Sequence, residues 1–458
     1  MASTTISAIN PATGAELKSY PLLSPKDLEQ RIRQAHKIQQ GWQTNNFVYR
    51  QNLMMAAAKV LRDGREKYAL LMVEEMGKTI RDARAEVDKC AWVCEYYAQH
   101  AAAFLGDEAV ITDASKSFVS FQPLGLVLAV MPWNFPFWQV FRFAAPALMA
   151  GNGGLLKHAS NVPGCAAAIE DIFKEAGFPE GLFTNLHLPS KKVGAIIRHP
   201  LVKAVTLTGS EPAGRSVAKA AGQHLKKTVL ELGGSDPYLV LEDADLELAA
   251  EVCKNSRLIN CGQSCISAKR IIVVAAVYEP FMKLFTAKMK AVRQGNPMDE
   301  DTEIGPMARP DLRDELHQQV EKSVAMGASC TLGGKIPEGK GCYYPPTVLE
   351  QVHKGMPAYA EELFGPVAAV IRAEDEAEAI EIANDTDFGL GATVFTADVS
   401  KGERIAKEQL QAGSCFVNGL VKSDPRLPFG GINNSGYGRE LALFGIREFV
   451  NIKSVWIR

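Results

Sequence analysis

The sequence reads as having no secretory leader, no membrane span, no surplus of either charge and no cysteine spacing suited to a metal. Met1-Ala2-Ser3-Thr4-Thr5-Ile6 has neither the basic n-region nor the apolar h-region of a signal peptide. Apolar runs such as 124–131 fall far short of the roughly 18 residues that cross a bilayer. Lys and Arg number 50 against 52 Asp and Glu, a net charge of −2 spread along the chain. Such a balance argues against nucleic acid or a membrane surface as partner. The nine cysteines are scattered and odd in number, so they read as reduced thiols of a cytoplasmic protein with no metal. No G-x-G-x-x-G follows a strand. Gly151-Asn152-Gly153-Gly154 precedes one and has the wrong spacing, so the usual dinucleotide fingerprint is absent.

What is present fits a soluble globular protein: 458 residues, 47% hydrophobic and 22% charged, enough for two or three domains. Residues 24–100 carry a helical pattern, with Ser24 as N-cap, Pro25 at the first helical position and Gly77 as a stop. The charges of 80–90 read as a solvated helix face. Beyond residue 100, strand and helix signals alternate. Strands are predicted over 116–122, 125–131, 154–157, 204–208 and 228–232, and helices over 162–176 and 211–225. A second alternation runs through 270–275, 279–292, 311–326, 368–371 and 375–384. This βαβ rhythm predicts parallel, doubly wound sheets with ligands at the carboxyl ends of the strands. A domain boundary is expected near Ser235-Asp236-Pro237. The apolar tail 450–457 is too long to leave bare, so it should pair with another segment or another subunit.

Four constellations carry chemistry. In Asn260-Cys261-Gly262-Gln263-Ser264-Cys265-Ile266-Ser267-Ala268-Lys269-Arg270, Cys265 is either a packing thiol or a nucleophile. Cys261 reads as structural, with a reversible Cys261–Cys265 disulfide as a second reading. Glu231, ending the apolar strand before Gly233-Gly234, is either exposed at the strand end or a general base with a raised pKa. Asn134, between Pro132 and Pro136, is either a turn residue or a rigidly placed oxyanion donor. Thr208-Gly209-Ser210 joins a strand to a helix with Ser210 as N-cap, where a phosphate could lie. Lys157 could reach a ribose or phosphate.

Together these motifs resemble the aldehyde dehydrogenase family. Pro132-Trp133-Asn134-Phe135-Pro136, Leu156-Lys157, Thr208-Gly209-Ser210, Glu231-Leu232-Gly233-Gly234, Gly262-Gln263-Ser264-Cys265, Glu362-Leu363-Phe364-Gly365-Pro366 and Pro428-Phe429-Gly430-Gly431 with Ser435-Gly436-Tyr437-Gly438-Arg439-Glu440 follow the family's order across the chain. The resemblance implies an α/β fold of two doubly wound domains plus a small β oligomerisation arm. It implies a dinucleotide-binding domain at 1–103 and 124–234, a catalytic domain at 235–432, and bridging strands at 104–123 and 443–458. Cys265 matches the nucleophile, Asn134 the oxyanion donor and Glu231 the base that hydrolyses the thioester. Lys157 and Glu362 match ribose-binding residues, Trp133, Gly209 and Ser210 the pyrophosphate side, and Phe364 the nicotinamide ribose.

Some positions depart from the family. His158 and Ser160 stand where it commonly has Pro and Glu. Ser160 removes the repulsion of a 2′-phosphate, so the expected cofactor is NAD with NADP also accepted. Asn433 replaces the usual Lys of the Gly-Gly-x-Lys pattern. Lys157-His158-Ala159-Ser160 and Ser423-Asp424-Pro425-Arg426-Leu427-Pro428 look like a bacterial succinate-semialdehyde dehydrogenase branch. That implies a small aldehyde substrate whose carboxylate would meet Arg426 or Lys422, with Arg426 equally read as a structural ion-pair partner, and a homodimer or homotetramer. Another aldehyde, a coenzyme-A-acylating dehydrogenase and a cofactor-independent cysteine hydrolase are the alternatives. Glu231 argues against the second. The third lacks a histidine that any motif places beside Cys265.

Overall fold

A computed structural model describes residues 4–458. Two parallel sheets with helices on both faces form its body. The first has six strands in the order Gly436–Tyr437, Lys227–Glu231, Val202–Thr208, Leu126–Met131, Gly153–His158 and Phe183–Asn185. All pair in parallel except Gly436–Tyr437. The chain runs outward from Leu126–Met131 through Gly153–His158 to Phe183–Asn185, then returns to build Val202–Thr208 on the other side. The order therefore reverses between Leu126–Met131 and Val202–Thr208, and a crevice opens where their carboxyl ends diverge.

These strands read as unbroken apolar runs because both faces are covered. Phe47–Asp63, Arg65–Met76, Ile80–Phe104, Trp138–Met149 and Pro163–Glu175 pack on one side. Pro25–Trp42, Val193–Arg198 and Glu211–Gly222 pack on the other. Ser24 accepts the Asp27 N–H as N-cap, and Gly77 ends its helix in the left-handed region at φ 80°.

The second sheet has seven strands in the order Ser329–Leu332, Thr347–Glu350, Val367–Ala373, Arg270–Val274, Pro237–Val240, Gly391–Phe395 and Ser414–Val417. All but Ser329–Leu332 are parallel. A third sheet joins Val450–Ile457, Lys116–Pro123 and Glu108–Ala109. The apolar tail thus pairs within its own chain, residue for residue from Val450↔Pro123 to Ile457↔Lys116.

Three local expectations need correction. The charges of 80–90 are not all solvated: Glu86 is buried in an ion pair with Lys78. Its Oε1 also accepts the N–H groups of Phe137 and Trp138, both at 2.9 Å. The helix expected over 211–225 stops at Gly222. Trp138–Met149, a helix the sequence reading did not anticipate, is buried on every face and contains Pro146. Apolarity all round leaves no period to read. No described helix is long and apolar enough to cross a membrane.

Candidate active site

The helix Leu246–Leu258 ends in three consecutive left-handed residues, Asn260 (φ 54°), Cys261 (φ 55°) and Gly262 (φ 72°). Asn and Gly tolerate that region. A Cβ at Gly262 would lie 2.2 Å from the Gly365 carbonyl oxygen, so no other residue fits. The turn is pinned to the other sheet: Asn260 Nδ2 donates to the carbonyl oxygens of Asn134 (2.7 Å) and Gln263 (3.2 Å). Cys261 is buried, and burial pushes its thiol up to about 12, which suits a structural role. Cys265 is half-buried at the end of this turn, and its N–H makes no hydrogen bond among the described residues.

A chain of one-way donors sets the orientation of Asn134. Arg142 can only donate, and its Nη2 meets Gln139 Oε1 at 2.9 Å. That turns Gln139 Nε2 toward Asn134 Oδ1, at 3.4 Å. Asn134 Nδ2 must then face the Gln263 carbonyl oxygen, at 3.1 Å, with its second hydrogen unspent. Two donors, the Asn134 amide and the Cys265 N–H, are therefore free for an oxyanion.

Cys265 and Gln139 line two spaces at once. One is a cavity of about 180 Å³ walled by Phe135, Trp138, Ile266 and Phe429. Three cationic residues line it, Arg142, Lys89 and Lys422. Arg142 is 2% exposed, paired through Nε with Glu440 and stacked 4.8 Å over Phe429. Its Nη1 makes no hydrogen bond among the described residues. Lys89 donates to Ser423 Oγ at 3.0 Å and lies 4.2 Å over the Trp138 ring. Burial, then repulsion from Arg142, pushes the Lys89 ammonium down to about 8. The other space is a cleft of about 530 Å³ at the sheet's reversal point, lined by Trp133, Thr208, Gly209, Ser210, Glu362 and Phe364 among others. A thiol thus separates a smaller, apolar-walled cavity, with Lys89, Arg142, Lys422, Asp82 and Glu86 in its lining, from a larger cleft.

A sequence model of the aldehyde dehydrogenase family matches residues 1–455. The chain belongs to the aldehyde dehydrogenase family. It is 51% identical to a probable NADP+ succinate-semialdehyde dehydrogenase of Synechocystis, with 99% of each chain covered. It is 49% identical to a succinate-semialdehyde dehydrogenase [NADP(+)] of Mycobacterium bovis, again over 99% of each. The crystal structure of the Streptococcus pyogenes succinic semialdehyde dehydrogenase with NADP+ superimposes with a TM-score of 0.97 at 38% identity, over 99% of both chains.

Within this aldehyde dehydrogenase, the expected cofactor residues divide. Trp133, Gly209, Ser210, Glu362 and Phe364 all line the cleft, and the Trp133 and Phe364 rings meet edge to face at 5.8 Å. Ser210 holds the N-cap position of Glu211–Gly222, yet its side chain makes no capping bond and stays available to a ligand. A Cβ at Gly233 would lie 2.2 Å from Glu362 Oε2, so glycine makes room for that carboxylate. Lys157 and Ser160 lie at the end of Gly153–His158, outside the lining of the cleft. Lys157 is buried and donates to Ser190 Oγ at 3.2 Å, whereas Ser160 is exposed.

Glu231 is turned away from both spaces. It is 2% exposed, neither oxygen has a hydrogen bond, and Oε1 sits where a Cβ on Gly430 would be 2.7 Å away. Burial, then the neighbouring Glu440, raises its pKa well above the usual carboxylate range. Its neighbours Thr208, Leu232 and Gly233 line the cleft, but Glu231 does not.

Lys422 lines the small cavity, but Arg426 does not. The Arg426 guanidinium is 65% exposed, spent on Asp424 and lying 5.4 Å over Trp92. Arg142 and Lys89 join Lys422 as the cations there. Sequence reading missed both. Arg142 had a signal, because it is the single charge in the otherwise apolar Trp138–Met149.

Proposed function

We propose that this aldehyde dehydrogenase oxidises succinate semialdehyde to succinate with NADP+ as acceptor. The observation that carries the reading is the pair Arg142 and Lys89 in an apolar-walled cavity that ends on Cys265. An aldehyde entering with a carboxylate at its far end would find cations for that carboxylate and a thiol for its carbonyl carbon. The relatives' names point to the same substrate and cofactor. NADP+ therefore replaces the expected preference for NAD, and Ser160 is consistent with a 2′-phosphate.

The cleft suits a dinucleotide. Glycine at 233 clears space beside Glu362, and the Ser210 hydroxyl is unspent at a helix N-terminus. Glu362 and Lys157 would hold the riboses, Ser210, Gly209 and Trp133 the pyrophosphate side, and Phe364 the nicotinamide end. When bound, the nicotinamide accepts the hydride.

The chain's own residues do the rest. The Cys265 thiolate adds to the carbonyl carbon, and the Asn134 amide and Cys265 N–H donate to the oxyanion. After hydride loss the carbon is a thioester on Cys265. Glu231, rotated from its buried position, takes a proton from water, which attacks the thioester and releases the acid and the thiol. The outer edge of Val450–Ile457 is the candidate interface of a homodimer or homotetramer, because it carries exposed Ile452, Trp456 and Ile457. Light scattering would report the assembly.

Initial rates with succinate semialdehyde and butanal, each with NADP+ and NAD+, test the reading. A kcat/KM for the semialdehyde about 100-fold above butanal is expected. Equal values would remove the carboxylate argument.

A further inference from the structure

None of these roles uses Lys269, yet its side chain is only 1% exposed. Its ammonium donates to the backbone oxygens of Ser264 (2.9 Å) and Cys265 (2.7 Å) and forms an ion pair with Oε1 of Glu362 at 3.1 Å. The same Oε1 accepts the Gly234 N–H at 3.1 Å. An apolar side chain of similar volume would fill this space without desolvating a charge. Two of the three acceptors belong to the nucleophile's own peptides, and the third is a carboxylate on the wall of the cofactor cleft.

We propose that Lys269 is a positioning residue that couples ribose binding at Glu362 to the reactivity of Cys265, an inference that rests on the ribose-binding reading of Glu362. Two consequences follow from the geometry. In a trans peptide the C=O and N–H point in opposite directions. By holding the Ser264 oxygen, Lys269 therefore aims the Cys265 N–H the other way, keeping that oxyanion donor clear. The second consequence is electrostatic. The charged and titratable groups around the thiol are Lys269, Arg142, Glu362 and Asp236. In the free chain Glu362 offsets Lys269, as Glu440 offsets Arg142, and burial holds the thiol up at about 12. Ribose hydroxyls donating to Glu362 would spread its charge and draw it off the ammonium. Lys269 then favours the thiolate with less opposition.

The test is the rate of Cys265 alkylation by iodoacetamide, read by peptide mass spectrometry at about pH 8, where rate follows the thiolate fraction. It is measured without cofactor and with saturating NADPH, which carries the riboses without the nicotinamide's positive charge. Wild type should alkylate about 10-fold or more faster with NADPH. Lys269→Met should alkylate more slowly than wild type without cofactor and should not respond to NADPH; Lys269→Arg should keep the response. Glu362→Gln should move the cofactor-free rate the opposite way, upward by about 10-fold, because it removes the opposing charge. A merely structural role would not shift the two variants in opposite directions. A wild-type NADPH response in Lys269→Met would overturn the proposal, as would a Glu362→Gln rate at or below wild type. If Lys269→Met does not fold, the sign for Glu362→Gln decides. NADPH fluorescence titration of Glu362→Gln separates the two readings. Unchanged affinity removes the ribose assignment and the coupling with it. About 10-fold weaker affinity with an unmoved thiol removes the coupling alone.

Discussion

Arg142 pairs through Nε with buried Glu440 while its Nη1, unbonded among the described residues, is the guanidinium nitrogen left for the cavity beside Cys265. One side chain thus serves two carboxylates, one built into the fold and one expected on the substrate. Arg142→Met leaves Glu440 buried and unmatched, which should cost about 3–5 kcal/mol in urea unfolding at neutral pH. The preference for succinate semialdehyde over butanal should fall about 10–100-fold, because a charge-assisted contact is lost. Adding Glu440→Gln should recover most of the stability and none of the selectivity. Recovery of both would show that the guanidinium serves packing only.

Lys89 gives the cavity a charge that is lost near the working pH. Its ammonium is pushed down to about 8, so it is charged below that value and neutral above it. KM for succinate semialdehyde should therefore climb as pH rises past about 8, toward a roughly 10-fold higher plateau, while KM for butanal stays flat. Lys89→Met should begin on that plateau and show no such rise. A pH-independent KM in wild type would exclude Lys89 from the substrate's carboxylate.

Ser160 tests the cofactor assignment at an exposed position, where substitution should leave stability within about 0.5 kcal/mol. In the proposed NADP+ complex a carboxylate there would repel the 2′-phosphate. Ser160→Glu should raise KM for NADP+ about 10–100-fold and change KM for NAD+ little. Equal effects on both cofactors would place the 2′-phosphate elsewhere.

What the sequence disclosed follows from the kind of signal each part carries. Leu126–Met131 and Arg270–Val274 were legible because parallel strands buried on both faces are continuous apolar runs. Cys265, Asn134 and Glu231 stood out as candidates because each sits in or beside a local motif of turn residues. Trp138–Met149 was not, and Gln139 and Arg142 went with it. Glu86 was misread because its partners, Lys78 and the Phe137 and Trp138 amides, lie in other elements. Arg426 was one of two candidates for the carboxylate and equally a structural ion-pair partner, and an Asp two residues earlier binds it on the surface. Pairings across elements decide which charge faces a cavity, and periodicity does not report them.

Glu231 joins function to stability most directly. Its carboxyl is buried without a hydrogen bond, and burial raises its pKa, which favours the protonated form. In the proposed hydrolysis the ionised form swings toward the thioester. Deacylation should therefore speed up with rising pH until Glu231 ionises. Glu231→Gln should release one equivalent of reduced cofactor in a burst, then turn over about 10²–10⁴-fold more slowly, with little pH dependence. Stability should move the other way. A carboxyl whose folded pKa lies above its unfolded value, near 4.3, makes the native state bind more protons than the unfolded one, so stability falls as pH rises from there to the folded pKa. Glu231→Gln removes that loss, and its Tm should exceed wild type at neutral pH although it is nearly inactive. If rapid mixing shows no burst and steady turnover is normal, another group activates the water, and the buried carboxyl of Glu231 has only a structural part.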